Sequence, residues 1–422
     1  MIRNWLLIGL TLAFMSPWLS AESWPHWRGP TGNGVAPEST PPTTWSATNN
    51  VKWKLPIPGS GSGSPIVWED RVFVVTAVPT GRGRGRLPEL EFLTIAVDRR
   101  SGKELWRRTA TIASPQRGTH STNGFASASP CTDGKRVYAH FGSQGLYAYT
   151  LNGEPVWKRD DLGTMITRND FGEGSSPVIA EDQLLVPWDH EGSSFLYAFD
   201  TQTGRMNWKT PRDEPTCWAT PLVIPGNDGQ LQVIMNGENQ ARAYDLETGR
   251  ELWRCGGQTA RPVATPVHRD GLVFIGSGFR GSFLGAFRLD GRGDIQGTNS
   301  VAWSVYRDTP DIASPLLSDN RLYFYKAKTG LLTCLNADTG QPYFQTVRMP
   351  DIRTTYASPV AAGGHVYLTG RGGTTVVIRD ATNVDVISVN SVGEGVDATP
   401  AIADDQLFIR GARHLFCIEQ TS

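Results

Sequence analysis

Eight times along this chain a Ser-Pro or Thr-Pro dipeptide opens a short apolar segment. These are Ser64-Pro65, Ser129-Pro130, Ser176-Pro177, Thr220-Pro221, Thr265-Pro266, Ser314-Pro315, Ser358-Pro359 and Thr399-Pro400. After a first step lengthened by an insertion, the prolines recur every 41 to 49 residues, the length of one four-stranded propeller blade. Proline suits the first residue of an innermost strand, because it has no N–H to give to a ladder that has not yet begun. Runs rich in β-branched and aromatic residues follow, at 71–76, 136–140, 272–275 and 321–325, bounded by Gly or Asp turns, and read as strands. The repeat predicts an all-β, eight-bladed propeller of four-stranded antiparallel blades.

A second signature lies about thirty residues into several units. It is clearest from Ala198 through Asp200, Thr203 and Gly204 to Trp208, and from Ala243 through Asp245, Thr248 and Gly249 to Trp253. A third copy runs from Ala96 through Asp98, Ser101 and Gly102 to Trp106. A polar turn ending in a glycine that can take positive φ, followed by a tryptophan, predicts strand, turn and strand, with the indole packed between blades. This pattern resembles the repeat of the pyrroloquinoline-quinone-like propellers, the quinoprotein alcohol dehydrogenase superfamily. That superfamily also holds non-catalytic members such as the outer-membrane assembly factor BamB. The opening from Trp24 through Trp27, Arg28, Gly29 and Pro30 is similar to the start of exported propellers of this kind, especially those of planctomycetes.

The repeat leaves two ends to explain. The eighth blade stops after Ile418 without an outer strand or tryptophan, while residues 51–56 look like a last strand with no blade before it. We expect residues 51–56 to complete blade eight and remove the open edge. Tryptophan holds the last-strand position at Trp53, Trp106, Trp157, Trp208, Trp253 and Trp303. Blade six offers Phe344 there and blade seven Ile387. Blade five carries an expanded turn at 289–299, and blade one an arginine- and glycine-rich insertion at 80–86.

Composition narrows the reading. With 46 glycines, 28 prolines and 14 tryptophans among 422 residues, the chain suits short strands and tight turns. A net charge of -1 gives no global attraction for nucleic acid. Residues 1–21 read as a secretory signal peptide, too short in its apolar core to span a bilayer. No cysteine lies nearby to take a lipid, so a soluble exported chain is expected. The domains are then 1–21 signal, 22–50 extended segment and 51–422 propeller, with a monomer expected. The five cysteines form no CxxC pair and read as buried thiols, a Cys217–Cys255 disulfide being the one pairing considered.

Candidate chemistry comes from the loops. Blade-joining loops and the loops between second and third strands emerge on one face. There the candidate ligand residues are Asn123, Asp170, Glu173, Trp218, Arg261, Arg280, Asp311, Tyr356, Arg371 and Asp397. Loop charges suggest a face split between acidic blades two to four (with Asp189, Glu191 and Glu214) and basic blades five to one (with Lys326, Lys328, Arg410, Arg413, Arg82, Arg84 and Arg86). The resemblance implies, for catalytic members, pyrroloquinoline quinone with Ca²⁺ held by Glu, Asn and Asp, a catalytic Asp, and a vicinal disulfide stacked against Trp. Here the disulfide is missing, no Cys-x-x-Cys-His occurs, and only Glu173, Asn123 and Asp397, with Trp218 as a wall and Arg371 or Arg261 as carboxylate partners, could be imagined in those roles. No HExxH, P-loop or GxSxG motif occurs. Residues 276–281 match a dinucleotide fingerprint by letters but lead into a strand, so they read as a hairpin. The expectation is a platform without catalysis, cofactor or metal, binding a protein, peptide or carbohydrate on its polar face. Pyrroloquinoline-quinone-dependent alcohol or sugar oxidation is the alternative.

Overall fold

In the computed structural model, residues 23–82 and 87–421 are described. The predicted signal peptide and Arg84 and Arg86 lie outside them. Eight antiparallel sheets surround one axis. Blade one is typical, with strands Ile66–Trp68, Arg71–Pro79, Leu90–Asp98 and Glu104–Ala113 paired in chain order from the axis outwards. The ring closes as the sequence predicts. Val51–Pro56 pairs antiparallel with His414–Ile418 as the fourth strand of blade eight, placing Trp53 opposite Cys417.

The blade-to-blade contacts explain the repeat residue by residue. In seven of the eight dipeptides, all but Ser64-Pro65, the hydroxyl before the proline accepts the backbone N–H of the equivalent residue one blade earlier, from Ser64 N to Ser129 Oγ (2.9 Å) round to Ser358 N and Thr399 Oγ1 (3.0 Å). The dipeptide therefore does more than start a strand: its Ser or Thr stitches the inner ring. At the rim, the motif Asp accepts from the turn it precedes, as in Asp98 from Ser101 and Asp200 from Thr203. The turn glycines adopt φ of +69° at Gly102 and +70° at Gly204. Each lies under the tryptophan of the preceding blade: a Cβ on Gly204 would come within 2.7 Å of the Trp157 ring. The indole N–H then donates to a carbonyl of the next blade, Trp157 to Thr201 at 2.9 Å and Trp106 to Leu151 at 2.9 Å.

One position departs from expectation, and two other features are made definite. In blade seven the outer hairpin, closed from Arg379 N to Asp385 O, is one residue longer than its counterpart from Asp200 to Arg205, so Ser388, not Ile387, falls opposite Val377, and Ile387 is exposed. The blade-five insertion supplies Gly293–Asp294 as a parallel fifth strand on blade four, where Ile295 is buried. Cys217 and Cys255 are free buried thiols, like the other three cysteines.

The segment before the clasp crosses the end of the ring opposite the loop face. Trp24 pairs with Val67, Asn33 with His268, and Val35–Ala36 runs parallel to Ala361 and Ala362. Midway, the buried Arg28 donates to the carbonyls of Pro359 (2.7 Å), Pro315 and Asn33 (2.9 Å). Burial pulls its guanidinium pKa down to about 9.

Candidate functional site: the axial cavity

A cavity of about 370 Å³ lies on the axis. Trp27, from the N-terminal segment, reaches it from the end opposite the loops. Hydroxyls of the stitched ring, at Ser64, Ser129, Ser176, Thr220 and Thr399, line its middle. Towards the loop face stand Phe171, Trp218, Phe279, Tyr356, Arg261 and Lys328. The mouth is narrowed by a bond between loops of different blades, Thr122 Oγ1 to Tyr356 Oη at 3.1 Å.

Of the sequence-predicted residues, Asn123, Trp218, Arg261, Tyr356 and Asp397 line this cavity. Three more stand behind them. Arg371 holds Asp397 through two bonds (2.6 and 2.9 Å) and lies 4.0 Å over the Tyr356 ring. Asp311 sits 3.6 Å from the Arg261 guanidinium, and exposed Arg280 flanks Phe279. Arg261 stacks on Phe279 at 3.4 Å, with burial lowering its pKa, and burial raises that of Asp311. Arg261 Nε and Asp311 Oδ1 are buried without a hydrogen-bond partner among the described residues.

The remaining two lie elsewhere. Asp170 faces Arg117 at 3.6 Å. Glu173 turns its carboxyl away from the axis into a small cavity of about 40 Å³ between blades two and three, accepting from Ser143 N (2.7 Å) and Ser143 Oγ. Burial raises its pKa to about 7. His140 lines the same cavity with both ring nitrogens unpartnered among the described residues, and burial lowers its pKa to about 4.

Charge signs along the sequence did not reveal which side chains turn inward. Asp189 forms a fully buried pair with Arg212 (2.8 and 3.0 Å), and Glu214 is buried against Arg242. Arg410 is buried, not on the face, and burial lowers its pKa to about 10. Lys326 is paired with Asp308 (2.5 Å) and Arg413 with Glu394 (3.2 Å). Of the acidic half of the expected split face, Asp189 and Glu214 are therefore internal, while Glu191 stays exposed. Sequence reasoning also missed Trp27, Phe171 and Phe279 as cavity walls. The Ser and Thr of the eight dipeptides were the visible signal for the hydroxyl ring.

The donors considered for a metal-bound quinone do not converge. Asn123 Oδ1 is held by Gly124 N (2.8 Å) and Ser127 Oγ (2.6 Å), Glu173 faces its own cavity, and Asp397 is gripped by Arg371. Among the described residues no group of three or more His, Cys, Asp or Glu is placed to hold a metal. These side chains do not compose a calcium site for such a cofactor.

Comparison with known proteins agrees with the repeat. A family model described as outer membrane protein assembly factor BamB matches residues 43–160, 147–298 and 216–422. The chain belongs to this family of PQQ-like propellers. A quinoprotein ethanol dehydrogenase of Pseudomonas aeruginosa is 24% identical over 212 residues, covering 48% of this chain and 32% of the relative. Quinoprotein alcohol dehydrogenase PedE of Pseudomonas putida is 34% identical over 91 residues, 21% of this chain and 13% of that one. The match thus spans a third or less of these dehydrogenases' length. In fold, BamB from Moraxella catarrhalis superposes with a TM-score of 0.57 at 12% identity, covering 88% of this chain and 98% of its own. Quinohemoprotein alcohol dehydrogenase from Comamonas testosteroni gives 0.62 at 10% identity, covering 95% and 81%. Among the described residues, no helix is long and apolar enough to cross a membrane.

Proposed function

We propose that this chain is an exported propeller acting as a binding platform, engaging a protein, peptide or carbohydrate partner on the loop face that surrounds the axial cavity. The observation that carries this reading is the cavity itself. Aromatic walls, a hydroxyl ring and two cations converge there from most of the blades, as in sites that orient a ligand with a few polar groups. The oxygen donors considered for a metal-bound quinone do not meet at one point, since Glu173 faces its own cavity away from Asn123 and Asp397. Family membership supports a propeller scaffold and leaves its activity to the site.

The test is the thermal stability of the mature chain with and without pyrroloquinoline quinone plus Ca²⁺. A ligand at a hundred times its Kd stabilises by roughly 2.7 kcal/mol. We expect no shift, together with photo-cross-linking of an exported component from the exposed Arg280 but not from Gln202, in the rim turn between Asp200 and Thr203. A clear shift accompanied by dye-linked alcohol oxidation would replace the platform with a dehydrogenase.

A further inference from the structure

We propose that the axial cavity binds an acidic saccharide, a hexuronic acid or a short chain of them. Its ring would lie against the aromatic walls and its carboxylate would face Arg261 and Lys328. This rests on the loop face being the binding face, and it names the ligand that face selects.

Hydrogen-bond polarity carries the argument. The hydroxyls of Ser129, Ser176, Thr220 and Thr399 already accept backbone N–H groups from the preceding blades. A hydroxyl that accepts in this way still has its own proton to donate. The middle of the cavity is therefore a ring of O–H donors and suits a ligand rich in acceptor oxygens. Each of these hydroxyls also keeps one lone pair beside its proton, so the ring can both donate to and accept from the hydroxyls of a saccharide.

The charges agree. Arg261 lies flat on Phe279, and its guanidinium makes no hydrogen bond among the described residues; its nearest carboxylate, on Asp311, is 3.6 Å away. Lys328 has no carboxylate within 4.0 Å among the described residues and lines the same wall. The two cations share a single carboxylate, that of Asp311, which acts on both and is hydrogen-bonded to neither, so a net positive charge remains to favour an anion. Asp397, oriented by Arg371, retains lone pairs for ligand hydroxyls. The flat faces of Trp27, Trp218 and Tyr356 suit the C–H faces of a pyranose ring. The volume of about 370 Å³ falls in the range of small-ligand sites, roughly 300–1,000 Å³.

The experiment is a titration followed by tryptophan fluorescence and calorimetry with three probes: digalacturonic acid, maltose and benzene-1,3,5-tricarboxylic acid. We expect saturable digalacturonate binding, about tenfold or more tighter than maltose and weakening as salt rises. The Lys328→Ala and Arg261→Gln variants should each weaken it about tenfold. Lys328 is half-exposed and makes no ion pair among the described residues, so its variant keeps the test open if Arg261→Gln fails to fold. Equal binding of maltose, tighter binding of the planar tricarboxylate, or no digalacturonate binding would each overturn the inference. If the loop face still cross-links a partner, the last result overturns this inference alone and leaves the platform standing.

Discussion

The glycine of each rim hairpin performs two tasks that no other residue combines. It takes a left-handed φ, and it lets the indole of the preceding blade lie on bare backbone. At Gly204 a methyl group would meet both penalties, so Gly204→Ala should cost about 1–3 kcal/mol. A lower melting temperature would show it, and unchanged melting would remove the docking role of the glycine. Glu173 gives a pH signature. Burial lifts its pKa from 4.5 to about 7, so the protonated form is favoured on folding. That contribution is complete below the unfolded value of 4.5 and is lost as pH rises through about 7. His140, lowered from 6.5 to about 4, works the other way: its contribution is present above 6.5 and is lost as pH falls towards 4. Between pH 6.5 and 7.5 Glu173 lowers stability as pH rises, while His140, and likewise His26, His190 and His268, whose pKa values burial also lowers, raise it as their unfolded-state imidazoles lose protons. Over that window we expect Glu173→Gln to make the slope of melting temperature against pH more positive than in the native chain. An identical slope in the variant would refute the assignment.

Two elements hold the ring as a ring. The inner strands are joined through the Ser or Thr of seven of the eight dipeptides. Ser176→Ala would leave the Ser129 N–H without its acceptor, at a cost of about 1–3 kcal/mol. The comparison Ser176→Thr, which keeps the hydroxyl, should restore most of the loss in chemical denaturation. The outer edge of blade eight is closed by Val51–Pro56, whose Trp53 donates to Arg99 of blade one at 2.8 Å. Removing residues 22–58 should therefore lower the melting temperature sharply, because it exposes an edge strand and the core beneath it. Melting unchanged by the deletion would show that the clasp does not support the fold.

For the molecule as a whole, the two ends of the axis differ. The loop end opens into the cavity, and the other is crossed by the N-terminal segment anchored through Arg28. That side chain bridges carbonyls at the starts of blades six and seven while its own chain is bound to blades one, five and seven. Arg28→Ala should destabilise by about 2–4 kcal/mol, because it leaves buried carbonyls unpaired and the end of the axis unfilled. Calorimetry on the purified chain checks this, and a change below about 0.5 kcal/mol, the scale of ordinary surface substitutions, would mean that the segment merely lies on the ring.

The sequence alone determined the number of blades, their order and the closure of the last blade by the first strand. Those follow from spacing along the chain: a proline every 41 to 49 residues, a turn glycine, and a tryptophan four residues later. Such signals are local, and a closed ring of repeats has little freedom to assemble otherwise. Half of the candidate site was legible for the same reason, since Asn123, Trp218, Arg261, Tyr356 and Asp397 lie in loops whose face the blade topology dictates. Only the tertiary structure decided which loop charges turn inward. Asp189, Glu214 and Arg410 are written in the sequence like any surface residue, yet packing against the neighbouring blade takes them out of water. It also decided that Ser388, carried there by a hairpin one residue longer, and not Ile387 pairs with Val377. The walls of the axial cavity come from Trp27 at one end of the chain to Thr399 near the other. Their meeting depends on ring closure, which brings together residues that no local pattern relates.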